Sequence, residues 1–291
     1  MMHWPNNARC AVAIHVLFND GVDATAIAPD LPHRSKSFSV WQYGALRGVD
    51  RILQAMTTWH IPSTWFVPGS IAMRHTALLQ QLTAQHHEVA AHGWEYEWHD
   101  QCDADQHHDL LVQSRTVLSE ASAQAVTGYR LPRGMWPRHF DQTLRTAGYM
   151  YSATLNGDDT PYTHASGLVE IPVHTELDDR PYFQFNFTPA FPNGHSRLPD
   201  YRGVLTNWQW EFDAYYHFGG CYVLQLHPEW TGTPGRIQLV HDMLRHITQR
   251  SDVWIATSRE IAAWRTQHAQ ATPAEHPLTI YEAYRHERGL P

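Results

Sequence analysis

Short apolar runs alternate with helix-period stripes along almost the whole of this 291-residue chain, and that alternation narrows the possible folds more than any other feature. Residues 10–18 form an apolar run that stops at Asn19-Asp20-Gly21, the pattern of a buried strand entering a polar turn. Val49, Ile52, Leu53 and Met56 then recur at helical spacing, which predicts a helix over 43–59. Residues 63–67 read as a second strand halted by Pro68-Gly69, Leu78, Leu79 and Leu82 mark the next helix, and 88–91 lead into His92-Gly93. A helical face follows at Leu110, Leu111, Val117 and Leu118, then a strand over 126–131 and a short helix over 139–147 closed by Gly148. Extended segments are expected at 150–153 and 168–173, a helix at 208–218, strands at 221–226 and 253–256, and a last helix over 258–270 with Ser258 as its N-cap.

Strands separated by helices of roughly ten to fifteen residues indicate βαβ units on a parallel sheet. About six or seven such units without a long linker favour a barrel over an open sheet. The expected architecture is α/β, a single domain over 1–291, with a loop insertion at about 157–204, rich in Pro, Asp and aromatics, and a tail at about 271–291 on the surface or on a neighbouring subunit. With 43% hydrophobic residues the chain can fill a substantial core.

Charge and composition exclude some partners. A net charge of −8 and the lack of any Lys/Arg run leave no basic footprint for nucleic acid. Residues 1–9 have no hydrophobic stretch of the secretory kind, and the apolar run at 10–18 is interrupted by His15 and too short to span a bilayer. The expectation is a cytoplasmic protein with no membrane partner. Cys10, Cys102 and Cys221 are too few and too scattered for a disulfide framework or a CxxC metal site, and each reads as a buried structural thiol. The 22 His and 12 Trp suit a lined pocket as well as they suit an ordinary core.

In parallel α/β barrels reactive groups sit at the carboxyl ends of strands. The polar residues at those ends are Asp20, His92, Arg130 and His227. An arginine there can orient a carboxylate or a substrate oxygen. A histidine that ends an apolar strand can protonate a leaving group near neutral pH.

Phe18-Asn19-Asp20-Gly21, His92-Gly93-Trp94-Glu95-Tyr96, Arg130-Leu131-Pro132-Arg133-Gly134 and Leu226-His227-Pro228, in that order, resemble the motifs of the polysaccharide deacetylase superfamily, the NodB-homology domain. Trp65-Phe66-Val67-Pro68-Gly69, Glu170-Ile171-Pro172-Val173 and Asp178-Asp179-Arg180-Pro181-Tyr182-Phe183 add to the likeness. They look most like the intracellular branch containing cyclic-imide hydrolases, metal-independent allantoinases and one type of peptidoglycan deacetylase. The resemblance implies a distorted (β/α) barrel of about seven parallel strands, hydrolysis at a carbonyl carbon and commonly a homo-oligomer. It implies Asp20 as base held by Arg130, His227 as acid, His92 as the group that positions the carbonyl, and Trp94, Tyr96, Trp136 and Trp230 as pocket walls.

Two departures bear on metal binding. Metal-dependent members carry adjacent aspartates in the first motif, whereas this chain has Asn19-Asp20. An alignment with one inserted residue matches Asp20 and Asp23 instead. The second motif of those members supplies two histidines, and here the second position is Tyr96, with His99 further along as a candidate substitute. Asp20 and His92 are thus the expected metal ligands, Asp23 and His99 the further candidates, and the cofactor is none or a weakly held divalent metal such as zinc. The expected reaction is cleavage of a non-peptide C–N bond in a small cyclic amide, imide or ureide. The alternatives are metal-dependent N- or O-deacetylation of a sugar or peptidoglycan fragment, and an inactive binding protein on the same barrel.

Overall fold

The computed structural model describes residues 3–184, 199–268 and 276–288. Among these are nine strands: β1 Cys10–Leu17, β2 Thr64–Val67, β3 Glu88–Ala91, β4 Gly128–Tyr129, β5 Tyr151–Ser152, β6 Tyr162–Thr163, β7 Val169–Glu170, β8 Cys221–Leu226 and β9 Val253–Ile255. The α/β class and the mostly parallel pairing agree with the sequence. The strand missing from that reading is β6, which pairs antiparallel with β7 and is only two residues long, too short to show a periodic pattern. The chain forms two compact units, Met1–Phe66 with His174–Thr257, and Val67–Val173 with Ser258–Pro291.

In the first unit β1 is buried along its whole length, as a strand covered on both faces must be, which is why it reads as a continuous apolar run. It pairs in parallel with β8 over Ala11–Val16, with β9 at Cys10–Val12 and with β2 at His15–Leu17. The expected helix over 43–59 starts earlier and changes pitch, running as Ser35–Tyr43, a π-helical turn Gly44–Gly48 and then Val49–Trp59. Glycine is required in that turn. A Cβ on Gly48 would lie 2.1 Å from the Pro228 carbonyl oxygen, and one on Gly232 would lie 2.2 Å from the Gly48 Cα. The two backbones meet where the short helix Pro228–Thr231 begins, directly after His227. Gly48→Ala should therefore destabilise the chain by about 1–3 kcal/mol through overpacking and lower turnover by displacing that helix. Denaturant melts and assays of the same preparation check this; a variant as stable and as active as the parent would refute it.

In the second unit β3, β4, β5 and β7 are successive parallel neighbours. The strand expected over 126–131 shortens to Gly128–Tyr129, because Pro132 has no N–H to continue a ladder and Leu131 N–H turns to Thr154 Oγ1 at 3.0 Å. Ser258 is the first residue inside the helix Ser258–Gln267 rather than a cap. The buried Glu88 carboxylate from β3 accepts Arg259 N–H at 2.9 Å instead, an anion at a helix start, and also accepts Tyr151 OH at 2.8 Å.

The stretch expected as a loop insertion, 157–204, carries regular structure in its described part: β6, β7, the 3-10 turn Thr175–Leu177, the short helix Arg180–Phe183 and the start of the helix Tyr201–Phe218. Residues 185–198 lie outside the described residues, as do 269–275 and 289–291 of the expected tail. The described tail begins with His276, whose Nε2 lies 3.1 Å from Asp158 Oδ2 and whose ring packs on Tyr162 at 4.5 Å, and continues as the helix Pro277–Arg288. No helix among the described residues is long and apolar enough to cross a membrane.

Candidate active site

The first unit places His227 at the end of β8, where its backbone leaves the sheet in an extended conformation ahead of Pro228. Imidazole and backbone are both fastened to Asp179. Nδ1 lies 2.6 Å from Asp179 Oδ1, His227 N–H donates to Oδ2 at 2.8 Å, and the Thr231 hydroxyl donates to Oδ2 as well. Both side chains are fully buried. Burial pushes the Asp179 carboxyl up to about 7, against the pull of its His227 and Thr231 donors and of the Arg180 and Arg236 charges. With Nδ1 committed to Asp179, Nε2 is the ring nitrogen left to meet a further group.

Arg180, the next residue, reaches across to the first motif: its Nη2 lies 2.6 Å from Asp23 Oδ2. Arg180 is thus set on the first-motif carboxylate Asp23, and Arg130 donates to the Ala153 carbonyl at 3.3 Å. Asp23 is buried, and its Oδ1 has no hydrogen-bond partner among the described residues. Fully buried Glu229 stands in the same electrostatic neighbourhood; burial and then the Asp23 charge push its carboxyl well up. Asp20 sits in the turn after β1 with φ at +47°, an uncommon conformation for a residue with a side chain. Asn19 beside it is buried, and neither polar atom of its amide has a partner among the described residues, which marks either a functional position or a water site. Trp230 is buried and stands edge-on to Trp41 at 6.0 Å.

The second unit holds the other expected residues. His92 follows β3, is buried, and places Nδ1 3.0 Å from the Arg130 carbonyl oxygen. A carbonyl only accepts, so Nδ1 carries the proton and the lone pair lies on Nε2. Tyr96 meets this ring edge-on at 5.4 Å and also adopts a left-handed backbone, φ +64°. Aromatic residues rarely tolerate that region, and such strain concentrates at functional sites. Trp94 lies on Gly69, where a Cβ would come within 2.6 Å of the indole, and Ser70 N–H binds the Trp94 carbonyl at 3.0 Å. Trp136 stacks on His164 at 5.5 Å and stays half-buried.

His99, the candidate substitute ligand, groups instead with Cys102 and His107. Glu97 accepts Trp94 N–H at 2.9 Å and Glu95 N–H at 2.8 Å. Burial works against its charge, but the His99 ring and the backbone donors outweigh that and hold the carboxyl below its usual range.

These donors test the metal implied by the family likeness. His92 presents an imidazole in the ligand tautomer, and the first motif offers carboxylates at Asp20 and Asp23. The third position holds Tyr96, a phenol, where zinc sites use His, Cys or carboxylate. Tyr96 is thus the motif position whose side chain departs from the usual zinc donors.

Asp179, Arg180, Glu229 and Glu97 are the charged residues that reading the sequence left without a role. The first three lie in the strings Asp178-Asp179-Arg180 and His227-Pro228-Glu229, so their closeness to recognised motifs was the available signal.

Comparison with known proteins bears on the family and the fold. A family model described as "Polysaccharide deacetylase" matches residues 37–152. A Mycobacterium smegmatis crystal structure assigned to the polysaccharide deacetylases is 31% identical with a TM-score of 0.85, covering 95% of this chain and 97% of that one. The curated peptidoglycan deacetylase of Helicobacter pylori is 26% identical over 74% of this chain and 82% of its own length. The crystal structure of an allantoinase is 20% identical with a TM-score of 0.78, over 92% and 94% of the two chains, and it shares the fold.

Proposed function

Because the chain belongs to the polysaccharide deacetylase family of hydrolases, we propose that it cleaves the C–N bond of a small cyclic amide, imide or ureide, with His227 protonating the departing nitrogen. The observation that carries this reading is the Asp179–His227 pair, an imidazole held by a buried carboxylate at 2.6 Å. A leaving nitrogen must gain a proton before the C–N bond breaks, and general acid catalysis of that kind contributes about 10²- to 10⁴-fold. Water attack at the carbonyl needs a base. Asp20 and Asp23 are the carboxylates of the first motif, and Asp23 is favoured because Arg180 holds one of its oxygens while the other meets no donor among the described residues. Tyr96 in place of a third metal ligand favours ring amides and imides, whose carbonyls accept water with less Lewis-acid help than an acetamide.

The names of the sequence relatives favour a second reading, removal of an N-acetyl group from a sugar or peptidoglycan fragment. A substrate panel of cyclic imides, hydantoins, ureides and N-acetylated amino-sugar oligomers, run with added Zn²⁺ and after chelation, separates the two. Ring opening that survives chelation supports the first reading, and zinc-dependent acetate release supports the second. Turnover of neither class would leave the fold as a binding protein. On whichever substrate is turned over, Asp23→Asn should cost about 10²- to 10⁴-fold and Asp20→Asn distinctly less. The reverse ranking would make Asp20 the base.

A further inference from the structure

We propose that His99, Cys102 and His107 form a second metal site, one that takes a zinc-like divalent cation. One donor atom from each residue lies within 4.8 Å of the others. They sit close in sequence on a 3-10 turn, His99–Gln101, and at the start of the helix Ala104–Ser122. Asp103 and Gln106 form a reciprocal capping box that fixes where that helix begins, and so where His107 stands against the turn.

Both imidazoles are held in the form a cation requires. His99 is fully buried, and its Nε2 faces the Tyr129 hydroxyl at 2.5 Å and Glu97 Oε1 at 3.3 Å. A carboxylate accepts the ring proton there, which leaves the lone pair on Nδ1, and Nδ1 is buried with no hydrogen-bond partner among the described residues. His107 places Nε2 against the His99 carbonyl oxygen, which can only accept, so its lone pair is also on Nδ1. Metal-bound histidines are routinely oriented in this way, one nitrogen on the ion and the other donating to a carboxylate or backbone carbonyl.

Cys102 adds the soft donor. Cys10 and Cys221 are buried strand residues, but Cys102 is only half-buried and carries a weak bond from Sγ to the Trp98 carbonyl at 3.4 Å. Partial burial first, and then the charges of Glu97, Asp103 and Asp100, disfavour a bare thiolate, and a bound cation would reverse that. Two imidazoles and a thiolate select a borderline cation such as Zn²⁺ over Mg²⁺ or Ca²⁺, with solvent reaching the fourth position beside Cys102. Binding would lock the segment that carries Tyr96 and Glu97 to the following helix.

The test uses the full chain stripped by chelation and titrated with Co²⁺, then with Zn²⁺. A thiolate-to-cobalt charge-transfer band should grow to one equivalent per chain, vanish in Cys102→Ser and persist in His92→Ala. In the unaltered protein Zn²⁺ should slow alkylation of Cys102 by about tenfold or more, read by peptide mapping, and chelation should restore it. A band that survives Cys102→Ser, or cobalt bound without a thiolate band, would overturn the proposal. Alkylation of Cys102 at an unchanged rate with saturating Zn²⁺ would overturn it too, and that arm needs no variant to fold.

Discussion

Replacing Asp179 with Asn should lower kcat by about 10²- to 10⁴-fold with little change in KM. The substitution keeps the shape of a side chain buried against His227 and Thr231, but removes the charge that stabilises an imidazolium. It also lets an amide N–H face Nδ1, which favours the wrong histidine tautomer. Folding raises the Asp179 carboxyl from 3.8 to about 7, so the native state prefers the protonated form. Its contribution to stability is fully present below the ordinary carboxylate range and is lost as pH rises through about 7. The unaltered chain should therefore lose Tm across that window, and Asp179→Asn should flatten the loss. Turnover should decline on the alkaline side of about pH 7, because a carboxyl–imidazole pair that has given up its shared proton cannot protonate a leaving nitrogen. That limb should disappear or move in the variant. A variant with full kcat and the same alkaline limb would remove Asp179 from the mechanism, and with it the main support for His227 as the acid.

The second large effect concerns stability. Glu170 is fully buried at the end of β7, where it accepts Thr154 N–H at 2.6 Å, Leu155 N–H at 2.8 Å and the Ser152 hydroxyl at 3.2 Å on one oxygen. His164 Nε2 faces the other oxygen at 3.1 Å. Glu170→Ala strands the two backbone N–H groups and the His164 ring inside the protein, while the Ser152 hydroxyl keeps Thr154 Oγ1 at 2.9 Å, and breaking a buried charged network of this kind typically costs about 3–5 kcal/mol. The urea midpoint should fall accordingly at an unchanged m-value, with Glu170→Gln recovering part of the loss through its one carbonyl oxygen. A cost of under about 1 kcal/mol would mean that solvent reaches these donors.

The two members of the Asp179–His227 pair differ in how visible they are in the sequence. His227 stands out because it ends a six-residue apolar strand and precedes a proline, two local signals that reinforce each other. Asp179 ends no apolar strand, and family likeness is its one signal in the sequence. It lies between a 3-10 turn and a four-residue helix, and only the parallel bridge between Asp178 and Gln225 brings it beside β8. Arg180 is hidden in the same way, because its pairing with Asp23 joins residues 157 positions apart. His99 was a candidate ligand by its position after His92, but its ring is turned toward Tyr129 and Glu97.

Cys10–Leu17, Cys221–Leu226 and the stripe at Val240, Met243, Leu244 and Ile247 were legible because burial on one or both faces of a regular element imposes a period on the chain itself. The same local physics placed reactive side chains at strand ends, and so singled out His92 and His227 before any coordinates. Partnership was beyond its reach. Which carboxylate holds His227, which arginine meets Asp23, and which histidines group with Cys102 depend on where loops arrive, and loop paths follow from tertiary packing, which leaves no periodic trace in the sequence.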